Sequence, residues 1–103
     1  MKVVWEEEAS NTLTDIYNYH KGISEKVAKE FYTDIVTETK RLENFPQLAQ
    51  IEPLLIDEPE KYRSAIVRHH YKLVYFIDEE KQEVVIVRFW DCRQDPATHR
   101  LKH

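Results

Sequence analysis

The sequence predicts an α+β domain of order β-α-α-β-β-β, in which a helical hairpin packs on one face of a largely antiparallel four-stranded sheet. Three observations carry this. Residues 62–67, 71–77 and 84–90 are rich in β-branched and aromatic side chains, contain no Pro or Gly, and are separated by short polar breaks, which is the pattern of a meander. Before them lie two stretches with apolar residues at helical spacing, joined through the only glycine, Gly22. Finally, 103 residues suffice for one core of two layers, so a single domain over 1–103 is expected.

Taken in order, Lys2 to Trp5 is a short apolar run suited to a first strand. Glu6, Glu7 and Glu8 follow it and suit the positive end of a helix dipole. Ala9, Leu13, Ile16, Tyr17 and His20 then fall on one helical face. Gly22 is expected to end this helix as a left-handed cap, and Ser24 to open the next as its N-cap. The second helix carries Val27, Ala28, Phe31, Tyr32, Ile35, Val36, Thr39 and Leu42 as its apolar stripe, up to Phe45 and Pro46. Two helices joined so tightly form an antiparallel hairpin. Residues 45–62, with Pro46, Pro53 and Pro59 among apolar anchors, read as an ordered loop packed on the core edge. Among the strands, residues 71–77 are apolar at nearly every position, so this is the central strand with both faces covered. Lys72 would share a face with Val74 and Phe76, while Tyr71, Leu73, Tyr75 and Ile77 take the other.

Composition narrows the function classes. A hydrophobic share of 42% with 33% charged residues is that of a globular protein, and no apolar run approaches a membrane span. The start Met-Lys-Val-Val-Trp-Glu-Glu-Glu is too quickly acidic for a secretory signal, so a cytoplasmic location is expected. One cysteine, Cys92, excludes an internal disulfide and a cysteine-based zinc site. Adjacent His69 and His70 point to opposite sides of an extended chain and read as a hairpin turn, so neither a metal nor a cofactor is expected. The net charge of −4 opposes nucleic-acid binding, but it is unevenly placed: residues 1–61 hold seven Lys/Arg against thirteen Asp/Glu, and residues 62–103 hold eight against six.

The cations of the second half are the candidate functional groups. Arg63, Lys72, Arg88 and Arg93 lie within or directly after strands, where a charge is harder to solvate than in a turn. Two of them also have a structural reading: Arg63 as an exposed strand charge, and Arg93 as a partner of Asp91 or Asp95. Cys92 lacks the histidine and acid of an activated nucleophile. Which cations share a face depends on hairpin register, since a slip of one residue reverses it.

The helical hairpin ending in Leu42-Glu43-Asn44-Phe45-Pro46, the run Tyr62-Arg63-Ser64, the strand His70-Tyr71-Lys72-Leu73-Val74-Tyr75 and the end Val87-Arg88-Phe89-Trp90-Asp91-Cys92-Arg93-Gln94-Asp95-Pro96 together resemble the RelE/ParE superfamily of toxins from type II toxin–antitoxin, or plasmid-stabilisation, systems. The resemblance covers nearly the whole chain. It implies a growth-inhibiting toxin neutralised by a cognate antitoxin that wraps around it. RelE-like members cut mRNA on the ribosome without a metal, and ParE-like members inhibit DNA gyrase.

Aligned on the Tyr-Lys-Leu-Val-Tyr strand, Lys72 falls where the ribonuclease branch has an arginine, Arg63 where it has a lysine, and Arg93 where it has a further arginine. His99 falls where that branch has a catalytic tyrosine, and Ala65 replaces a second lysine. Metal-free RNA cleavage needs cations for the phosphoryl charge, which Arg63, Lys72 and Arg93 would supply, and a proton donor or acceptor, which suits His99. Three functions are therefore in competition: an mRNA endoribonuclease with these four residues as its site and the ribosome and mRNA as partners, a gyrase inhibitor with no catalytic site, and a non-toxic binding module.

Overall fold

The computed structural model describes residues 1–94 and Leu101. The chain forms β1 (Lys2–Trp5), α1 (Glu7–Ile23), α2 (Glu25–Asn44), β2 (Gln50–Ile51), a 3₁₀ turn (Pro53–Leu55), β3 (Arg63–Val67), β4 (Tyr71–Asp78) and β5 (Glu83–Asp91). The strands make one sheet in the order β1-β5-β4-β3-β2. β1 runs parallel to β5 and the other pairs are antiparallel. The α+β class and the helical hairpin are as expected, but among the described residues the sheet has five strands instead of four. The extra one, β2, comes from the segment expected to be loop: two residues before Pro53 pair with Ser64 and Arg63.

Ser24 explains the tightness of the hairpin. Its extended backbone (φ −158°) ends α1 through a bond from its N–H to His20 O, and its hydroxyl accepts from Val27 N–H to open α2. Gly22 does not end α1 as expected. It lies inside the helix, which continues to Ile23, and its φ is not positive. A single well-formed cap at Ser24 makes a left-handed residue unnecessary.

The helix-side core joins Ala9, Phe31, Ile35 and Leu42 to Ala65, Val67, Tyr71, Leu73, Tyr75, Val84, Ile86 and Phe89. Phe31 is at its centre, edge-on to Tyr71 (5.5 Å) and Phe89 (6.1 Å) and beside His20 (5.1 Å). The stripe on α2 is narrower than expected, because Val27 and Tyr32 are exposed. A second cluster fills the opposite face of the sheet: Leu55, Val74, Val85, Val87 and Trp90, with Val4, Tyr62, Phe76 and Leu101 against it. β4 is thus covered on both sides, and its residues divide between the faces as the alternation dictated.

A bulge in β5 decides the faces of the remaining residues. Tyr75 pairs with Ile86 but Val74 pairs with Arg88, so Val87 is one residue too many. Ile86 and Phe89, three apart, therefore both reach the helix side, while Val85, Val87 and Trp90 reach the other. Arg88 stands opposite Val74 and so shares the face of Lys72. At the other end of the sheet, the β3–β4 turn places Arg68 and His69 at positive φ (52° and 68°), with Arg68 held to Asp34 of α2 at 2.7 Å.

The place of Gly22 has a measurable consequence. Its missing Cβ would meet nothing within 4 Å. Gly22→Ala should therefore raise stability by about 0.5–1 kcal/mol in urea unfolding, through helix propensity and reduced freedom of the unfolded chain; a loss of stability would show that the helix needs glycine there.

Candidate functional site

The structure separates the cations that the sequence brought forward. Arg63 stands opposite Tyr75, on the helix side of the sheet, and its guanidinium donates to the carbonyls of Gln47 (3.1 Å) and Ala49 (2.7 Å). It thereby holds the chain between α2 and β2. Lys72 stands on the other face, opposite Ile66 and Trp90. Arg93 follows the end of β5; it binds Asp91 through Nε to Oδ1 (3.0 Å) and Nη2 to Oδ2 (2.8 Å), and its guanidinium carbon is 5.8 Å from the centre of the Tyr71 ring. His99 lies outside the described residues. Arg63, Lys72 and Arg93 are not brought to one groove.

Lys72 has the most constrained surroundings. Its Nζ donates to both carboxylate oxygens of Glu52, at 3.1 and 2.9 Å. The Glu52 side chain has no exposed surface and that of Lys72 retains 18%. Glu52 precedes the 3₁₀ turn, where its Oε1 also accepts from Leu54 N–H (3.1 Å), and its own N–H donates to Tyr62 O (2.9 Å). Burial alone would raise the Glu52 carboxyl. Ser64, Lys72 and the Leu54 N–H outweigh it and hold the group below its ordinary 4.5. The Ser64 hydroxyl, buried beside the carboxylate, falls short of strict hydrogen-bond geometry among the described residues, so Lys72 and Leu54 are the firmer partners. A carboxylate facing into the protein was the signal that sequence reading missed: Glu52 stands between Ile51 and Pro53 in an apolar segment, where a solvated acid has no reason to be.

Arg88, the fourth strand cation, is also engaged: Nη2 meets Glu8 at 3.1 Å and Nη1 donates to Val87 O at 2.6 Å. Its Nε is buried with no partner among the described residues. Asp91 is held below the ordinary carboxylate range, chiefly by the hydrogen bond from Arg93, and the Arg93 guanidinium is shifted upward by the same contact. Desolvation lowers His70, with Arg93 adding to it, so the imidazole next to the exposed cation favours its neutral form. Cys92 is exposed, yet partial desolvation pushes its thiol up, away from a reactive thiolate. His20 packs on Phe31 and lies 3.4 Å from the Tyr71 hydroxyl, as a residue of the core stripe. Tyr75, whose hydroxyl donates to Pro46 O at 2.6 Å, is pushed up to about 12 by burial and cannot serve as a base near neutral pH. Among the described residues no group of three or more His, Cys, Asp and Glu is arranged for a metal ion. No helix among them is long and apolar enough to cross a membrane.

The pair makes a testable stability statement. Glu52→Gln leaves a mostly buried ammonium without its counter-charge and should cost about 3 kcal/mol in urea unfolding, whereas the double change Glu52→Leu with Lys72→Met should cost much less. The folded-state pKa of Glu52 is depressed, so its contribution is present above about 4.5 and is lost as pH falls through the lower folded value. Wild-type stability should accordingly fall in that acidic window, and Glu52→Gln should flatten this part of the profile; an unchanged profile would remove Glu52 as its cause.

Comparison with known proteins gives the arrangement a family. The model of the ParE toxin of type II toxin–antitoxin systems, parDE, matches residues 3–96. A solved structure described as the chromosomal ParDE toxin–antitoxin system from P. aeruginosa superposes with a TM-score of 0.69, at 20% identity, over 88% of this chain and 95% of that one. No curated protein sequence matches. At that identity the solved structure shows a shared fold, while the family match spans both helices and all the strands except the first residue of β1. The chain belongs to the ParE toxin family of type II toxin–antitoxin systems.

Proposed function

We propose that this chain stops growth by binding DNA gyrase, with no catalytic site of its own. The observation that carries this reading is the Glu52–Lys72 pair. A lysine that stabilises phosphoryl charge must present its ammonium to the substrate, and here the ammonium is committed to a carboxylate with no exposed surface. Arg63 is committed to two backbone carbonyls on the other side of the sheet, and Arg93 to Asp91. Cleavage of mRNA would require each of these contacts to be exchanged for phosphate at once. Inhibition by binding asks only for a surface.

That surface is better suited to protein than to nucleic acid. The helical half of the chain is acidic, with thirteen Asp/Glu against seven Lys/Arg in residues 1–61. It also leaves Tyr19, Ile23 and Tyr32 exposed on the hairpin, and Tyr32 meets Tyr17 edge-on at 6.1 Å across the two helices. Membership of the ParE family supports gyrase as the protein concerned. The antitoxin that such a toxin requires would hold the complex inactive until it is removed.

Induction of the chain without antitoxin, in a bacterial host, tests the proposal. Mapped mRNA 5′ ends should stay as in uninduced cells and translation should continue at first, while a DNA-damage response appears. New mRNA ends with early arrest of translation would replace this reading with the endoribonuclease one, and normal growth would replace it with a non-toxic binding module.

A further inference from the structure

The β3–β4 turn and the last residues of β5 form one end of the sheet and one surface. Tyr71 pairs with Asp91, and Cys92 N–H donates to His70 O at 2.6 Å. The Arg93 guanidinium stands 5.8 Å from the centre of the Tyr71 ring, and the His70 ring stands 4.4 Å from it. Arg68, His69, His70 and Arg93 are therefore gathered at this end. Their fields overlap: after desolvation, the charges of Arg93, Arg68 and His69 lower the pKa of His70, against the opposing charge of Asp91.

The turn carries these side chains against its own backbone preference. Arg68 and His69 both have positive φ (52° and 68°). Two successive left-handed residues are what Asn-Gly adopts with least strain in a hairpin turn. Arg68 has a structural reason to be there, its 2.7 Å bond to Asp34 of α2. His69 has none of that kind: it is exposed, and among the described residues its side chain makes no hydrogen bond, ion pair or ring contact. Strain kept for a side chain that the fold does not use points to a contact outside the molecule.

The donors indicate the chemistry of that contact. The acids that meet this group, Asp34 and Asp91, are each already held by an arginine. Neither arginine is exhausted by its partner. Arg68 gives Asp34 one bond from Nη1, Arg93 gives Asp91 its Nε and Nη2, and a guanidinium has five N–H groups. Their side chains are 31% and 63% exposed. Two guanidinium edges beside two imidazoles suit the successive oxygens of a phosphodiester backbone. The acidic helical half opposes capture of free DNA, so the phosphates must be presented by a partner that the chain binds by other means.

We propose that this end of the sheet, through Arg68, His69, His70 and Arg93, contacts the phosphate backbone of the DNA that gyrase holds. The contact rests on gyrase being the target, and adds a nucleic-acid contact to the protein surface of the helical hairpin. No residue acts chemically on the phosphate, and neither arginine has to release its aspartate.

Binding of the full chain to purified gyrase, with and without a bound DNA duplex, tests this. At low salt wild type should bind the DNA-loaded enzyme about tenfold more tightly than the DNA-free enzyme, and the preference should shrink as salt rises. His69→Gly with Arg93→Gln, with folding checked by circular dichroism, should bind both forms alike. His69→Gly alone, where glycine relieves the backbone, should reduce the preference without loss of thermal stability. A wild-type chain that binds both forms equally would overturn the proposal, and so would a preference that survives in the double variant. Weakening of the double variant by the same factor in both forms would also overturn it, since the turn would then meet an acidic protein surface. Failure of wild type to bind gyrase in either form would overturn the target reading, and this contact with it.

Discussion

The pairing of Glu52 with Lys72 is the constraint on which the side of the sheet away from the helices depends. Helices cover one side without help, because α1 and α2 carry continuous apolar stripes. Among the described residues the other side has no α-helix, and what covers it must be tied down by local contacts. Glu52 does this from the entry to the Pro53–Leu55 turn: its carboxylate reaches Lys72 on the central strand and its backbone N–H reaches Tyr62. Leu55 can then pack with Val74, Val85, Val87 and Trp90. An ion pair in such a place contributes little net stability over an apolar pair of the same shape, but losing one partner is costly, so both residues are held to their roles.

This changes the meaning of charge on the strands. A cation within a strand stands out in a sequence because it needs a reason to be there. Catalysis is one reason and an internal partner is another. For Lys72 the partner is twenty positions earlier in an irregular segment, for Arg63 it is a pair of carbonyls, and for Arg88 it is Glu8 at the start of α1. None of these partners has a spacing that marks it. In each case the contact ties a strand to the segment beside it, so these cations hold the fold together.

Much of the fold was legible because it rests on periodicity. The alternation from Tyr71 to Ile77 assigned each residue of β4 to its face, and Ser24 announced the second helix through its side chain. Gly22 misled, since glycine marks a helix end only where a positive φ is needed, and Ser24 removes that need two residues on. β2 was hidden because two paired residues leave no alternation to read. The β5 bulge was equally silent: Val84 to Trp90 is apolar or aromatic except at Arg88, so nothing in the composition marks Val87 as the extra residue. That bulge decides the face of Arg88, while the β3–β4 register puts Arg63 and Lys72 on opposite faces, and the candidate site was illegible to that extent.

The proposal stands or falls on Lys72 and Glu52 being structural, with growth inhibition coming from the surface. The most direct measurement is growth inhibition by the chain carrying Glu52→Leu together with Lys72→Met, in cells without antitoxin, with folding checked by circular dichroism. The account predicts inhibition within about twofold of wild type, since an apolar pair can replace a buried ionic one. A variant that folds as wild type does and no longer inhibits growth would contradict it, and would return Lys72 to the list of residues that act on a substrate.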